Sequence, residues 1–317
     1  MTPPISACPR VRDVQDYLVI TNSEAGTSDQ ENQEAAINVL SEGASVEVVS
    51  TASPGELDGV LHRAGKRRIV VVGGDGSLHA VVKALYRRNE LADSVIGLVP
   101  LGTGNDFARG TGIPLDPEEA ARLILSTEPR PVDLIVDELG GIVVNNIHLG
   151  VSAHASRRGA TWKERLGKVG LGKVNLGRLG YPIGAIQSVL RPPYTRIRVE
   201  VDGELVTDLD TPVLMLSIGN GASVGGGTEV TPHADPEDGK VDVMIARTEG
   251  GMAPIGYAWH LMRSRHHERD DVMYLRAKEV SVSGESFYCS ADGEIYGPER
   301  QRTWRVEPAA YSMILPD

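Results

Sequence analysis

Two strings in the first third of the chain each join an apolar strand to a helix through a glycine turn. The first covers residues 70–78 (VVVGGDGSL) and the second covers residues 95–106 (VIGLVPLGTGND). Short apolar strands that alternate with helices predict a mostly parallel sheet with helices on both faces. Because parallel strands end at the same edge of a sheet, we expect both glycine turns to line one crevice, where such folds bind ligands.

The residue types in the first turn suit a phosphate group. Glycine lets a ligand approach the backbone closely, and the N–H groups that open a helix attract phosphate oxygens. Asp75 would be an anion beside that phosphate, which a Mg²⁺ ion between them would stabilise. For one string alone, a tight turn with Ser77 as a helix cap is the alternative. Neither string is a Walker P-loop, because the chain lacks the GxxxxGK[ST] pattern.

The pattern changes near residue 135 from alternating strands and helices to strands joined by turns. We predict an α/β nucleotide-binding domain over residues 14–134, with a mostly parallel sheet, and an antiparallel β-sandwich domain over residues 135–308. Residues 309–317 are expected to return to the first domain, and residues 1–13 to be disordered. The predicted strands of the second domain include Thr195–Val201, Val241–Ala246, Glu279–Ser283 and Thr303–Pro308.

Composition excludes some classes of function. The net charge of −11 and an aromatic content of 4% argue against general nucleic-acid binding. Two cysteines cannot make a disulfide framework, and the N-terminal residues lack the apolar core of a signal peptide. Apolar runs are too short to span a bilayer. We therefore expect a cytoplasmic protein.

Together, the two glycine strings resemble the catalytic domain of the diacylglycerol kinase and sphingosine kinase family, and most closely the soluble bacterial diacylglycerol kinases. The resemblance covers most of the chain and continues at residues 22–26, 235–243 and 292–294. It implies an NAD kinase/diacylglycerol kinase-like fold with ATP in the cleft between two domains. The implied reaction transfers the γ-phosphate of ATP to a hydroxyl of diacylglycerol or a related lipid, as in phospholipid biosynthesis.

The resemblance also implies roles for individual residues. Asp292 and Glu294 would supply the catalytic base, with Asp75 acting through Mg²⁺. The residues that would surround ATP are Asn22, Ser23, Glu24, Ala25, Gly26, Thr51, Gly73, Gly74, Asp75, Gly76, Ser77, Leu78, His79, Ala80, Gly102, Thr103, Gly104 and Asn105. The implied Mg²⁺ ligands are Asp75, Asp106 and Asp133 at the catalytic ion, and Asp238 with the backbone carbonyls of Asp235 and Lys240 at a structural ion.

Some residues depart from the family pattern. Ser23 replaces a proline, Ser77 replaces a threonine, and the pair His79-Ala80 replaces Asn-Glu, but every carboxylate that the mechanism needs is present. Two alternatives stay open. One is an NAD kinase-like enzyme, whose family shares the GGDG turn. The other is a catalytically silent module that binds lipid or nucleotide.

A lipid substrate implies a membrane as the partner. We expect transient contact with the inner membrane surface, through a basic stretch over residues 157–178 that stands out in an acidic chain. No nucleic-acid partner is expected, and a homodimer is left open. We interpret His260, His266 and His267 as surface residues of a helix, because no cysteine or carboxylate spacing accompanies them.

Overall fold

The computed structural model describes residues 16–22, 27–150, 194–247 and 253–317. The first part of the chain alternates strands and helices. Its elements are β1 (Asp16–Asn22), α1 (Thr27–Gly43), β2 (Ser45–Thr51), α2 (Pro54–His62), β3 (Arg68–Gly73), α3 (Asp75–Arg87), a 3₁₀ turn (Leu91–Asp93), β4 (Val95–Pro100), α4 (Asp106–Thr111), α5 (Pro117–Ser126) and β5 (Pro129–Asp137).

The first four strands form a parallel sheet in the order β2, β1, β3, β4. The central residues of β1, β3 and β4 are almost all apolar and buried, as expected for strands that are covered on both faces, whereas the edge strand β2 is partly exposed. Helix ends follow local signals: the side chains of Ser53 and Asp116 accept hydrogen bonds from the first turns of α2 and α5. This sheet brings the C-terminal ends of β3 and β4 together.

The second part of the chain is mostly strands. Its elements are β6 (Ile142–Val143), β7 (Asn146–Gly150), β8 (Thr195–Val201), β9 (Glu204–Thr207), β10 (Pro212–Val213), β11 (Met215–Gly219), β12 (Ser223–Val224), β13 (Thr228–Glu229), β14 (Val241–Ala246), α6 (Ala253–Leu261), a 3₁₀ turn (His266–Glu268), β15 (Val272–Ala277), β16 (Glu279–Ala291) and β17 (Glu294–Ile314).

These strands pair antiparallel in the order β15, β14, β11, β7, β16, β17, and β8 also pairs with β16. Residues on their inner faces, such as Ile147, Val199 and Trp304, form a second hydrophobic core. The 21-residue strand β17 then crosses to the first domain, where Ser312 and Met313 pair parallel with β4. Tyr311 and Met313 belong to the core of the first domain.

The α/β and β-sandwich architecture confirms the predicted fold class. The predicted bounds of β8 and β14 agree with the structure, whereas β16 and β17 are much longer than predicted. The polar and charged residues at 299–302 lie within β17 and interrupt the apolar alternation on which strand prediction depends. The surface interpretation was wrong for His266, which is fully buried and bonds through Nε2 to the carbonyl of Val230 at 2.8 Å.

No helix within the described ranges is long and apolar enough to cross a membrane.

Candidate active site

The two glycine turns touch each other directly. A methyl group at Gly74 would lie 2.8 Å from the Cα of Gly102, so only glycine lets the two backbones approach so closely. The N–H of Leu101 donates to the carbonyl of Gly73 at 3.0 Å, which ties the ends of β3 and β4 together. The shared crevice predicted from the sequence is therefore present.

The N-terminus of α3 opens into this crevice. Gly74 is the N-cap residue and has no side chain, so no capping side chain occupies the amides of the first turn. Gly76, the second residue of α3, is exposed, and nothing lies within 4 Å of where its Cβ would be. The arrangement leaves room in front of these amides for an anion.

Asn105 shapes the second glycine turn rather than facing outward. Its backbone has a left-handed conformation (φ 52°), its Oδ1 accepts from the N–H of Gly102 at 2.8 Å, and its Nδ2 donates to the Gly102 carbonyl at 2.8 Å. The side chain is thus used to close the turn. Thr103, at the tip of the same turn, is exposed instead.

Asp75 connects the first turn to α4. Its Oδ2 accepts from the N–H of Asp106 at 3.0 Å and its Oδ1 accepts from the N–H of Phe107 at 2.9 Å. A carboxylate at this position satisfies amides that a helix N-terminus leaves unpaired and lies at the positive end of the helix dipole. Asp75 therefore fixes the second glycine turn relative to the first.

Asp106 continues the connection into the β-rich domain. Its Oδ1 accepts from the N–H groups of Gly226 and Gly227 at 2.9 and 2.8 Å. Burial raises the pKa of Asp106, these glycine amides lower it, and the negative charge of Asp75 raises it further. A methyl group at Gly104 would lie 3.2 Å from Oδ2 of Asp75 and 3.1 Å from Oδ2 of Asp106. The two carboxylates therefore flank the same glycine.

Asp133 belongs to a different cluster from Asp75 and Asp106. Its buried carboxylate accepts from the N–H of Gly239 at 2.6 Å and from the N–H of Ala309 at 2.8 Å. Burial raises the pKa of Asp133, and these two amides oppose that shift. Asp133 thus anchors the loop at residues 235–240 against β17, and its place in a catalytic Mg²⁺ network stays a prediction.

The loop of the predicted structural Mg²⁺ site is held by its own polar groups. Asp235 accepts from the N–H of Glu237 at 3.0 Å, and Asp238 accepts from the N–H of Lys240 at 2.9 Å. The Asp238 carboxylate also forms an ion pair with Arg276. A guanidinium thus compensates the charge of this carboxylate in the described structure, and the structural Mg²⁺ site at this loop stays a prediction.

Asp292 is held more firmly than a turn aspartate requires. It lies in the turn between β16 and β17, and its side chain is only 3% exposed. Oδ1 accepts from the N–H groups of Asn145 and Asn146 at 2.9 and 3.1 Å, and Oδ2 accepts from the N–H of Val144 at 2.7 Å. Oδ2 also lies 2.7 Å from Nδ1 of His79 on α3. Asp292 therefore joins the two domains.

Glu294 lies beside this pair and is much more open. Its side chain is 55% exposed, accepts from the hydroxyl of Tyr296 at 2.6 Å, and lies 3.5 Å from Nζ of Lys83. The Tyr296 hydrogen bond lowers the pKa of Glu294, and the Lys83 charge acts in the same direction. Glu294 therefore faces solvent as a stable anion.

The remaining predicted nucleotide residues fall into three groups. Asn22, Ala80 and Thr103 are exposed, and Thr51 is half-buried at the end of β2. Leu78 is in the hydrophobic core, so its side chain holds α3 in place. The loop formed by Ser23, Glu24, Ala25 and Gly26 lies outside the described residues, as does the basic stretch over 157–178.

A network of buried polar residues beneath Asp292 was not predicted from the sequence. Asn146 donates to the carbonyl of Gly221 at 3.0 Å and accepts from the Ser217 hydroxyl at 2.9 Å. Ser217 also lies 2.9 Å from Nδ1 of His148. Burial lowers the pKa of His148 to about 4. No motif marks these residues, because they come from separate strands that meet only in the folded sheet.

Two family models match the chain and together cover nearly all of it. The diacylglycerol kinase catalytic domain matches residues 16–136. The YegS C-terminal NAD kinase beta sandwich-like domain matches residues 148–315. The first of these contains both glycine turns, and the second contains Asp292 and Glu294.

Relatives and solved structures agree with this match. A probable YegS-like lipid kinase of Stenotrophomonas maltophilia is 32% identical, over 94% of this chain and 95% of the relative. A diacylglycerol kinase of Mycobacterium tuberculosis is 29% identical, over 80% of this chain and 78% of the relative. A crystal structure of a diacylglycerol kinase from Bacillus anthracis shares the fold, with a TM-score of 0.69 at 18% identity, covering 96% of this chain and 98% of that chain. The chain belongs to the family of lipid kinases built from a diacylglycerol kinase catalytic domain and a YegS-type β-sandwich domain.

Proposed function

We propose that the protein transfers the γ-phosphate of ATP to a hydroxyl of diacylglycerol or a related lipid. The observation that carries the proposal is the backbone contact between Gly74 and Gly102 in front of the uncapped N-terminus of α3. Phosphoryl transfer depends mainly on positioning and on compensating phosphate charge. The uncapped amides of α3 support both, and the carboxylates of Asp75 and Asp106, which flank Gly104, are candidate ligands for a Mg²⁺ ion that would compensate phosphate charge.

In this proposal the ATP phosphates lie against the first turn of α3. The N–H groups of Asp75 and Gly76 are the donors, since the amides of Ser77 and Leu78 already bond to the carbonyl of Gly74 at 3.0 and 3.1 Å. Hydrogen bonds from backbone amides to a charged phosphate are stronger than bonds between neutral groups. Thr103, exposed at the tip of the neighbouring turn, is placed to contact the same phosphates.

Mg²⁺ would accompany the nucleotide, held by Asp75 and Asp106. Within the described ranges no three His, Cys, Asp or Glu side chains are grouped as ligands for one metal ion. Mg²⁺ bound with a nucleotide commonly takes only one or two carboxylates, because phosphate oxygens and water complete its shell. Asp75 and Asp106 fit this pattern: both flank Gly104, and no cationic side chain bonds to either carboxylate in the described structure. The ion would compensate negative charge on the phosphates.

We further propose that the protein takes its lipid from a membrane that it contacts at its surface. Ile255 in the first turn of α6, Trp259 in its last turn and Met262 just beyond its end are 38%, 54% and 80% exposed. Spacings of four and three residues put them on one side of the helix. The guanidinium of Arg263 lies 4.2 Å from the ring centre of Trp259. An apolar surface with a tryptophan and an arginine suits the boundary between lipid headgroups and acyl chains.

The test is transfer of label from γ-labelled ATP to a panel of acceptors. The panel contains diacylglycerol, monoacylglycerol, sphingosine and ceramide in mixed vesicles, and NAD in solution. Labelled lipid from the wild-type protein, and not from an Asp75→Asn variant that remains folded, is the expected result. Labelled NAD without labelled lipid would instead favour the NAD kinase-like alternative. Nucleotide binding without transfer to any acceptor would favour a silent binding module.

A further inference from the structure

His79 lies on α3 between the first glycine turn and the turn that contains Asp292 and Glu294. It lies one helical turn after Asp75, and Lys83 lies one turn further on the same face. One turn of helix rises about 5.4 Å, so His79 is close to the amides where the proposed function places the terminal phosphate. The turn with Asp292 and Glu294 runs along this face, since Asp292 bonds to His79 and Glu294 pairs with Lys83.

Asp292 is poorly suited to accept a proton from a substrate. Both of its oxygens are acceptors for backbone N–H groups, three in all, and Oδ2 also bonds to His79. Both carboxylate oxygens are therefore already engaged as hydrogen-bond acceptors. Glu294 is exposed, and the Tyr296 hydroxyl and Lys83 stabilise its charge. Neither carboxylate of the turn is therefore the strongest base at this position.

The geometry gives His79 a defined tautomer. Because Oδ2 of Asp292 accepts from Nδ1 at 2.7 Å, the proton of a neutral imidazole lies on Nδ1 and the lone pair lies on Nε2. The His79 side chain is only 8% exposed, and no group in the described part of the chain bonds to its buried Nε2. A buried polar atom without a hydrogen-bond partner costs free energy, and such an atom at an active site is a candidate for a catalytic role.

We propose that His79 is the general base of the reaction and that Asp292 is a positioning residue that acts through it. The inference rests on the lipid kinase function proposed above. In the transfer step, Nε2 of His79 takes the proton of the lipid hydroxyl while the hydroxyl oxygen forms a bond to the γ-phosphorus of ATP. The bond between that phosphorus and the β–γ bridging oxygen breaks, and ADP leaves with the electron pair. The imidazolium, stabilised by Asp292, then releases its proton to water.

The charged groups that face His79 come from two elements. Asp292 and Glu294 lie on the turn between β16 and β17, and Asp75 and Lys83 lie on α3 itself. A carboxylate that accepts from Nδ1 of a histidine holds the ring in one orientation and one tautomer. Asparagine, which the family pattern has at this position, cannot take up a proton at neutral pH. The pair is therefore a feature by which this chain differs from that pattern.

The test compares His79→Asn and His79→Ala with the wild type and with His62→Asn, which removes an exposed histidine at the end of α2. We expect His79→Asn to lower kcat by about 10²-fold or more, while ATP affinity from calorimetry changes less than about threefold. His62→Asn should leave both unchanged. In the plot of kcat/KM against pH, the wild type should show an ionising group that His79→Asn lacks. Added imidazole should restore part of the turnover of His79→Ala in proportion to its unprotonated fraction.

Each outcome decides one question. A His79→Asn variant with near wild-type kcat and an unchanged pH profile would overturn the proposal while lipid phosphorylation by the wild type stands. A variant that loses ATP binding together with turnover, and does not respond to imidazole, would assign His79 a structural role and also overturn it. Absence of lipid phosphorylation in the wild type would overturn the proposed function, and the base assignment with it.

Discussion

Adding a side chain at Gly76 should block the phosphate position without disturbing the fold. Gly74 is unsuitable for this purpose, because any side chain there would collide with the backbone of Gly102. Gly76 has open space around its Cβ position, and it is the second residue of a helix. Since Cα–Cβ bonds tilt toward the N-terminus of a helix, a valine at this position would project in front of the amides that hold the phosphate.

The size of the effect follows from the number of hydrogen bonds lost. Valine would displace the phosphate from the N–H groups of residues 75 and 76, and each bond to a charged group contributes about 1.5–3 kcal/mol. The loss of one such bond weakens ATP binding about tenfold, and the loss of both about a hundredfold or more. The stability of the fold should change by no more than about 1 kcal/mol, because only helix propensity differs.

Gly55→Val provides a matched control. Gly55 is also the second residue of a helix, α2, and nothing lies within 4 Å of its Cβ position. Calorimetric titration with ATP and urea denaturation should be run on both variants. We expect weaker ATP binding only for Gly76→Val, with similar unfolding curves for both. Equal ATP affinity in the two variants would refute the placement of the phosphate at the N-terminus of α3.

Three further predictions concern stability and membrane contact. Burial lowers the pKa of His148 to about 4 in the folded protein, from about 6.5 when unfolded, so folding favours the neutral imidazole. The stability that depends on this neutral imidazole is fully present above pH 6.5 and is lost as the pH falls toward 4. Acidification from pH 7 to pH 4 should therefore destabilise the wild type by about 3 kcal/mol more than His148→Gln, measured by urea unfolding. Arg302→Met should cost about 3 kcal/mol in the same assay, because it leaves the buried Asp137 carboxylate, 2.9 Å away, without its cation. Trp259→Ser should weaken binding to lipid vesicles about tenfold in a sedimentation assay, whereas Leu139→Ser, which removes another exposed apolar side chain, should not.

The sequence was sufficient to predict the crevice because its determinants are local. The strands at residues 69–72 and 95–100 are continuous runs without a charged residue, and the glycines that follow them are needed for the backbone contact between Gly74 and Gly102. Each signal lies within a dozen residues of sequence, and the parallel sheet brings the two turns together. Domain type was predictable for the same reason, since alternating elements and turn-linked strands differ over short windows.

The partners of the acidic residues could not be predicted, because they depend on contacts across the sheet. Asp106 bonds to Gly226, which is 120 residues away, and Asp292 bonds to Val144, 148 residues away. A sequence motif indicates that such a carboxylate is needed, but it does not say which amides the carboxylate accepts from. His79 shows the same limit: it is a departure from the family pattern in the sequence, and only the structure pairs it with Asp292.

The acidic residues of the site therefore have two functions that mutagenesis must separate. Asp75, Asp106 and Asp292 all accept from backbone amides of another element. Asp75 thereby joins the two glycine turns, whereas Asp106 and, through His79, Asp292 join the two domains. Replacing such a carboxylate with its amide places an N–H₂ group opposite backbone N–H donors and removes the charge that those donors stabilise. Part of any loss of activity in Asp106→Asn or Asp292→Asn will therefore come from the disturbed contacts with these backbone amides. Glu294 is exposed and bonds only to side chains in the described structure, so a loss of turnover in Glu294→Gln reports on the reaction itself.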